Sequence, residues 1–395
     1  MSTHIGIGFS HDFNTEKAAR EAALEASAQL KSASADFILI LSTAQHEPNA
    51  VIQNIYNLFQ GSKIIGCSTA GIILNHAVIT HGIAILAIAS KDIKFGIGCA
   101  RDITTANIQQ KGSEMARKII SDFGQHRRQV CIFFIDGQIA DGSRLLKGVQ
   151  EIFGNVFPLV GAGSCDDFRF EQTFQVFQDR VLRHAALGVM MGGQVSVGIS
   201  GYHGWRPLGK PRLINKVDGN VIRTIDGKKA SSLYEEYFEE EYENLHSTPL
   251  GQMSILYPLG IFVEGSREYL LRNAVNILDD GSIVCQGGVP ENSVVHIMIG
   301  NKDSCKQAAT QACEEAKQNL LGKKPQLIII IESMARLKLL GRAAIQEIEN
   351  IKKVFGTDVP IFGMYAHGEI CPFQTVERIK KPYLQNESIV VLAIS

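Results

Sequence analysis

The sequence predicts an α/β protein: triplicated strand-helix-strand-helix-strand-loop-strand units with an inserted α+β segment. Two observations carry this. A short apolar run ends in glycine and opens into small polar residues at three places. These are Lys63-Ile64-Ile65-Gly66-Cys67-Ser68-Thr69-Ala70-Gly71, Leu159-Val160-Gly161-Ala162-Gly163-Ser164-Cys165 and Ile361-Phe362-Gly363-Met364-Tyr365-Ala366-His367-Gly368-Glu369. Each is followed by a return run, at residues 83–89, 185–191 and 388–394. Three other runs, at residues 37–41, 130–135 and 327–331, are apolar throughout and of strand length, the pattern of a strand buried on both faces. Repetition of one unit of about a hundred residues points to duplication.

In unit one, residues 4–9 read as a strand, and Asn14-Thr15-Glu16 opens an Ala/Glu-rich helix running to about Leu30. Residues 48–59 read as a second helix with Pro48 in its first turn. Unit two repeats this at residues 94–98, 105–123, 130–135 and 143–153. Unit three is placed at residues 294–299, 304–320, 327–331 and 342–355. Between them, residues 192–292 are written differently, with short strands at 196–202, 212–217 and 221–225. This insert also carries a helix at 231–245, with an acidic face of Glu235, Glu236, Glu239, Glu240 and Glu241. Asp279-Asp280-Gly281 marks a hairpin between residues 269–278 and 282–286. The chain divides into a first domain over residues 1–220 and a second over 221–395.

A length of 395 residues suggests more than one core. The net charge of −1, with basic clusters no larger than pairs such as Arg127-Arg128, Lys228-Lys229 and Lys380-Lys381, argues against a nucleic-acid partner. Eight cysteines without a C-x-x-C pair argue against structural zinc. The N-terminus lacks the pattern of a signal peptide, and the apolar runs are too short for a membrane span. A reduced, cytoplasmic setting fits.

The three glycine turns fall at the carboxyl ends of strands, where open α/β sheets bind ligands, and are read as the rim of a ligand site. That gives Cys67, Ser68, Thr69, Ser164, Cys165, Asp166, Tyr365, His367 and Glu369 as ligand-binding candidates. Trp205 and Arg206, in the loop His203-Gly204-Trp205-Arg206-Pro207, suit a planar or acidic ligand. Each has a plainer reading: small residues in a tight turn, Asp166 as a turn cap, a solvated loop tip at Tyr365–Glu369, a packing corner at Trp205. Cys67 or Cys165 as a nucleophile would need a base that no spacing supplies. Gly6-x-Gly8 and Gly96-x-Gly98 lack the third glycine of a dinucleotide fingerprint.

His81, His184 and Glu387 each precede a return strand. Imidazole is a common axial ligand of haem iron, so His184 is a candidate iron ligand, with Met190, Met191, Phe174 and Phe177 as apolar wall. His203 stands behind it.

These motifs, with Gly219-Asn220-Val221-Ile222, Ile225-Asp226-Gly227 and Val289-Pro290-Glu291, resemble the FIST N-terminal and C-terminal domains almost end to end. Ile72 departs from the family pattern, which has glutamate after that glycine. The resemblance implies a cytoplasmic sensory module that binds a small ligand such as an amino acid and takes part in bacterial signalling. Some stand-alone members are haem proteins that sense nitric oxide and act on a partner histidine kinase. It implies no catalytic set. The expectation is therefore a sensor without a fused output domain, either a haem b nitric-oxide sensor or an amino-acid or small-metabolite sensor. A cysteine-dependent hydrolase or transferase is the enzyme alternative.

Overall fold

The computed structural model describes residues 3–139, 141–167, 169, 171–238, 256–376 and 380–395. Three four-stranded units are present. In unit one the order is Thr3–Ser10, Ile83–Ser90, Phe37–Thr43, Lys63–Thr69. Only the last pair is parallel, because only it is joined through a helix, Pro48–Tyr56. Unit two repeats the order with Ile93–Ala100, Ala186–Gly193, Arg128–Asp136 and Leu159–Ser164. Unit three uses Val197–Tyr202, Ile389–Ile394, Leu327–Ser333 and Ile361–Ala366. Helix starts follow the local chemistry. Asn14 Oδ1 accepts from Lys17 N at 2.9 Å, and Glu47 accepts from Asn49 N and Ala50 N ahead of Pro48.

The units are tied by hairpin exchange. The hairpin Gly71–Leu74/Ala77–Ile79 of unit one extends the sheet of unit three by pairing with Ile361–Ala366. The hairpin Gln175–Phe177/Arg180–Leu182 of unit two extends the sheet of unit one. The hairpin Glu369–Pro372/Pro382–Gln385 of unit three extends the sheet of unit two. Each unit therefore lends an edge to another, and the loan closes on itself.

The apolar strands sit where their sequence requires. Phe37, Leu39 and Leu41 share one inner cluster with Val130, Ile132, Phe134, Leu327, Ile329 and Ile331. Their alternate residues, such as Ile38 and Ile40, lie under the helices of their own unit. Period-two alternation thus serves two cores, so no residue in these runs is free to be polar.

The expected start of unit three was misplaced. Val294–Ile299 belongs to the insert, paired with Leu259–Ile261 and Arg206–Asp218. The first strand of unit three is Val197–Tyr202, which pairs with Ile389–Ile394. The insert therefore interrupts unit three between that strand and its first helix, Lys302–Asn319. Glycine carries the physical signature of a first strand. A Cβ on Gly198 would lie 1.9 Å from Ala316 O on the covering helix, and one on Gly8 would lie 2.0 Å from Ala22 O. Gly6 and Gly96 are in the same position against their helices, so these glycines serve close helix packing. In the insert, the acidic helix is described over Ser232–Phe238; Glu236 is paired with Arg212, and Glu239, Glu240 and Glu241 lie outside the described residues. No helix among the described residues is long and apolar enough to cross a membrane.

Gly198→Val tests the placement of unit three. Overpacking against the helix backbone should lower the unfolding free energy by about 2–3 kcal/mol, measured by denaturant titration. An unchanged midpoint would mean that the helix does not press on this strand.

Candidate functional site

The three glycine turns do meet, but as a clasp. Thr69 Oγ1 lies 2.7 Å from Gly71 O and 2.8 Å from Tyr365 O. Cys165 Sγ donates to Tyr365 O at 3.0 Å and accepts from Ala70 N at 3.1 Å, while Cys165 N donates to Ser68 O at 3.2 Å. His367 N donates to Gly163 O at 2.9 Å, Gly163 N returns a bond to Gly368 O at 2.9 Å, and His367 Nδ1 is 2.9 Å from Gly137 O. Ser68 Oγ accepts from Phe174 N; Ser164 Oγ donates to Ile135 O and accepts from Gln175 Nε2. Asp166 Oδ2 caps a turn by accepting from Glu171 N and Gln172 N. These groups join the lent hairpins to their hosts, and most of the expected rim is used up by the protein itself.

Burial pushes the thiols of Cys67 and Cys165 above their ordinary range, as it does for the other six cysteines. A nucleophilic cysteine needs the opposite shift. Trp205 is packed with Leu271, Met298, Cys305 and Leu340, while Arg206 is exposed, so that loop is a packing corner.

The haem expectation does not fit the residues. The side chain of His184 is 72% exposed, with Nδ1 3.5 Å from Asp136 Oδ2. Its intended walls face elsewhere: Met191 lies in the inner core, Met190 under the helices of unit two, and Phe174 under those of unit one. His203 is buried, with Nδ1 engaged by the backbone and Nε2 facing Glu268 without a hydrogen bond. Nδ1 accepts from Trp205 N at 2.9 Å and Nε2 lies 3.3 Å from Glu268, and burial drives its pKa down to about 3.

The arrangement that stands out lies in unit three. Thr43 N, Asp136 N and Ser333 N donate to Gly82 O, Ala185 O and Ser388 O, which makes His81, His184 and Glu387 equivalent positions. Glu387 adopts φ 61°, a left-handed conformation uncommon outside glycine, asparagine and aspartate. It is fully buried, and neither carboxyl oxygen makes a hydrogen bond of normal geometry, although the Asn273 amide lies against it. Glu369, also fully buried, accepts from Ser388 N at 3.0 Å and Ser388 Oγ at 2.8 Å through Oε2, while Oε1 has no partner. By register, Glu369 occupies the hairpin position held by Ile72 in unit one and Gln175 in unit two. The insert closes the site. Asn273 N donates to Asn386 Oδ1 at 3.2 Å, Asn386 Nδ2 to Gln286 Oε1 at 2.9 Å, and Gln286 Nε2 to His367 O at 2.9 Å. Asn273 Oδ1 has no partner.

Electrostatics follow from this burial. Desolvation pushes the Glu369 carboxyl up to about 8. It pushes Glu387 well above the carboxylate range, with the charge of Glu369 adding to the shift and Asn273 and Arg336 opposing it. Arg336 itself is committed nearby: it donates to His203 O at 2.7 Å, to Cys305 O at 3.0 Å and to Glu347, and Nε sits 3.6 Å from Glu332. Glu369 was legible as a candidate. Glu387 is legible in the sequence only as the third of the pre-strand positions, and Asn273, Gln286 and Asn386 carry no local signal, because they converge from distant parts of the chain.

The fold is that of an α/β protein with a cluster of buried polar groups between one unit of a three-unit ring and an inserted sheet. The chain belongs to the FIST family: the FIST N domain matches residues 36–228 and the FIST C domain residues 230–372. Uncharacterized proteins from two strains of Mycobacterium tuberculosis are 22% identical over 382 residues, covering 93% of this chain and 94% of theirs. An uncharacterized protein of Methanocaldococcus jannaschii is 24% identical over 188 residues, 45% of this chain and 35% of that protein. Among solved structures, the cyanuric acid hydrolase of A. caulinodans aligns over 99% of both chains at 7% identity, with a TM-score of 0.40. Phosphoribosylformylglycinamidine synthase II of Thermotoga maritima aligns over 99% of this chain and 72% of its own at 12% identity, with a TM-score of 0.23. Likenesses this distant say nothing of activity.

The raised Glu369 carboxyl makes stability depend on pH. Folded, it titrates near 8; unfolded, near 4.5. The folded state holds the extra proton between these values, so this contribution is full below about pH 4.5 and lost as pH rises through about 8. Glu369→Gln should flatten the decline in denaturant midpoint across that window. A variant with the wild-type slope would show that Glu369 ionises freely.

Proposed function

We propose that this protein is a signal-transduction sensor that recognises a small polar ligand at the Glu369–Glu387 cluster. FIST domains are in general sensor domains that bind small ligands. The observation that carries the reading is Glu387: a buried carboxyl that makes no hydrogen bond of normal geometry, in a left-handed backbone conformation. An unsatisfied buried polar group costs about 1–3 kcal/mol, and a non-glycine residue held in this region costs about 1–3 kcal/mol more. Both costs fall at one residue, beside a second buried acid, and a ligand that bonds to the open oxygens would offset the first. Sites of function are where such strain gathers.

An amino acid or another small metabolite suits a site lined by Asn273, Gln286, Asn386 and Ser388. A haem-based nitric-oxide sensor finds less support, since His184 is exposed and His203 is buried with Nε2 turned to Glu268. A cysteine-dependent enzyme is opposed by the raised thiols. The signal would pass by contact with another signalling protein, of which a histidine kinase is one form.

Thermal unfolding of the full chain with a library of small polar metabolites and hemin tests this. Ligand at a hundredfold excess over Kd adds about 2.7 kcal/mol. At least one polar metabolite should raise the Tm of the wild type by several degrees, and Glu387→Gln should remove that rise. Stabilisation by hemin alone, with a visible spectrum altered by His184→Ala, would overturn the proposal. So would a metabolite effect that Glu387→Gln leaves intact.

A further inference from the structure

The open atoms of this cluster have one chemical sense. Glu369 Oε1, Glu387 Oε1 and Oε2, and Asn273 Oδ1 are all buried without a hydrogen-bond partner, and once the carboxyls ionise all four are acceptors. Asn273 is only 4% exposed, and its side chain lies against Glu387, so the unmet acceptors are not confined to the acidic pair. Most donors around them are committed, the exceptions being Arg336 Nε, which lies 3.6 Å from Glu332, and the Asn273 amide, which lies against Glu387. Asn386 Nδ2 is held by Gln286 and Gln286 Nε2 by His367 O. Arg272 Nε donates to Gly288 O and Nη1 to Leu271 O and Leu384 O. Arg336 serves His203 O, Cys305 O and Glu347. A carboxylate, phosphate or carbonyl ligand would bring more acceptors to a place with few free donors.

We infer that the group seated between Glu369 and Glu387 is a primary ammonium. This rests on the reading that the cluster is the recognition site. An ammonium carries three N–H donors and a positive charge on a compact head. Three donors can meet three of the four open oxygens, and the charge would stabilise both carboxyls in their ionised form, which the unliganded interior disfavours. A hard metal ion suits the site less well. It takes six or more oxygen ligands, and among the described residues no group of three or more His, Cys, Asp or Glu side chains could hold a metal ion. Arg272 and Arg336 are bonded mainly within the protein, which leaves little for a ligand carboxylate next to the ammonium. The fitting class is therefore a small amine, or an amino compound whose acidic end lies away from this pair.

Isothermal calorimetry on the full chain with matched probes decides the matter. Ethanolamine and putrescine are compared with ethylene glycol, 1,4-butanediol, glycolate, succinate and calcium ion. The amines should bind and the uncharged and anionic probes should not. Glu387→Gln and Glu369→Gln should each weaken amine binding at least about tenfold, as expected when a charged partner loses its charge. Asn273→Leu, which removes a neutral acceptor, should weaken it less and guards against a carboxyl variant that fails to fold. An alcohol, carboxylate or calcium ion that binds and is lost in Glu387→Gln would overturn the ammonium while leaving the recognition site in place. Amine binding that survives all three substitutions, or no binding by any probe, would overturn both.

Discussion

The structure depends on the exchange of hairpins between units. Each four-stranded sheet would end in an open edge at its glycine-turn strand, and an unpaired edge is a hazard in any sheet protein. Here the edge is covered by a hairpin from another unit, and the same loan is made three times around a ring. Closure fixes the relative placement of the sheets and lets their inner faces share one apolar cluster. It also explains the polar content of the turns. Where Thr69, Cys165 and His367 cross between units, backbone groups leave their ladders and must be met by side chains or by the neighbouring turn.

The clasp and the candidate site are made from related positions but differ in one respect. In units one and two, the position of Glu369 holds Ile72 and Gln175, and that of Glu387 holds His81 and His184. Only unit three places a carboxyl at both, and only unit three is closed over by the insert, through Asn273 and Gln286. Duplication supplied three similar corners, and the insertion of a sheet after Val197–Tyr202 enclosed one of them. Enclosure removes water from the acids, and that is what raises Glu369 and Glu387.

How much of this was legible follows from which interactions are local. The apolar strands, the first helices and the triplication were readable because period and run length are set within a few residues. The third unit was misread because residues 294–299 have the same apolar length as a first strand; the distinguishing feature is the glycine at Gly198, whose meaning appears only against Ala316. Of the site, Glu369 was readable as part of a glycine-flanked turn. The polar turn residues suggested an open rim, but their partners lie in other units, up to 296 positions away for Thr69 and Tyr365. Glu387 and His184 share a sequence position and a left-handed backbone, but burial separates them, and burial of a loop residue is a tertiary property.

The central claim is that unit three holds buried, proton-bearing carboxyls that ionise when a ligand arrives. Infrared difference spectroscopy on the full chain reads this directly, through the C=O stretch of a protonated carboxyl near neutral pH. The account predicts that this band weakens in Glu369→Gln and in Glu387→Gln. In the wild type it should convert to carboxylate absorption when the ligand binds. A band that both variants leave unchanged would contradict it.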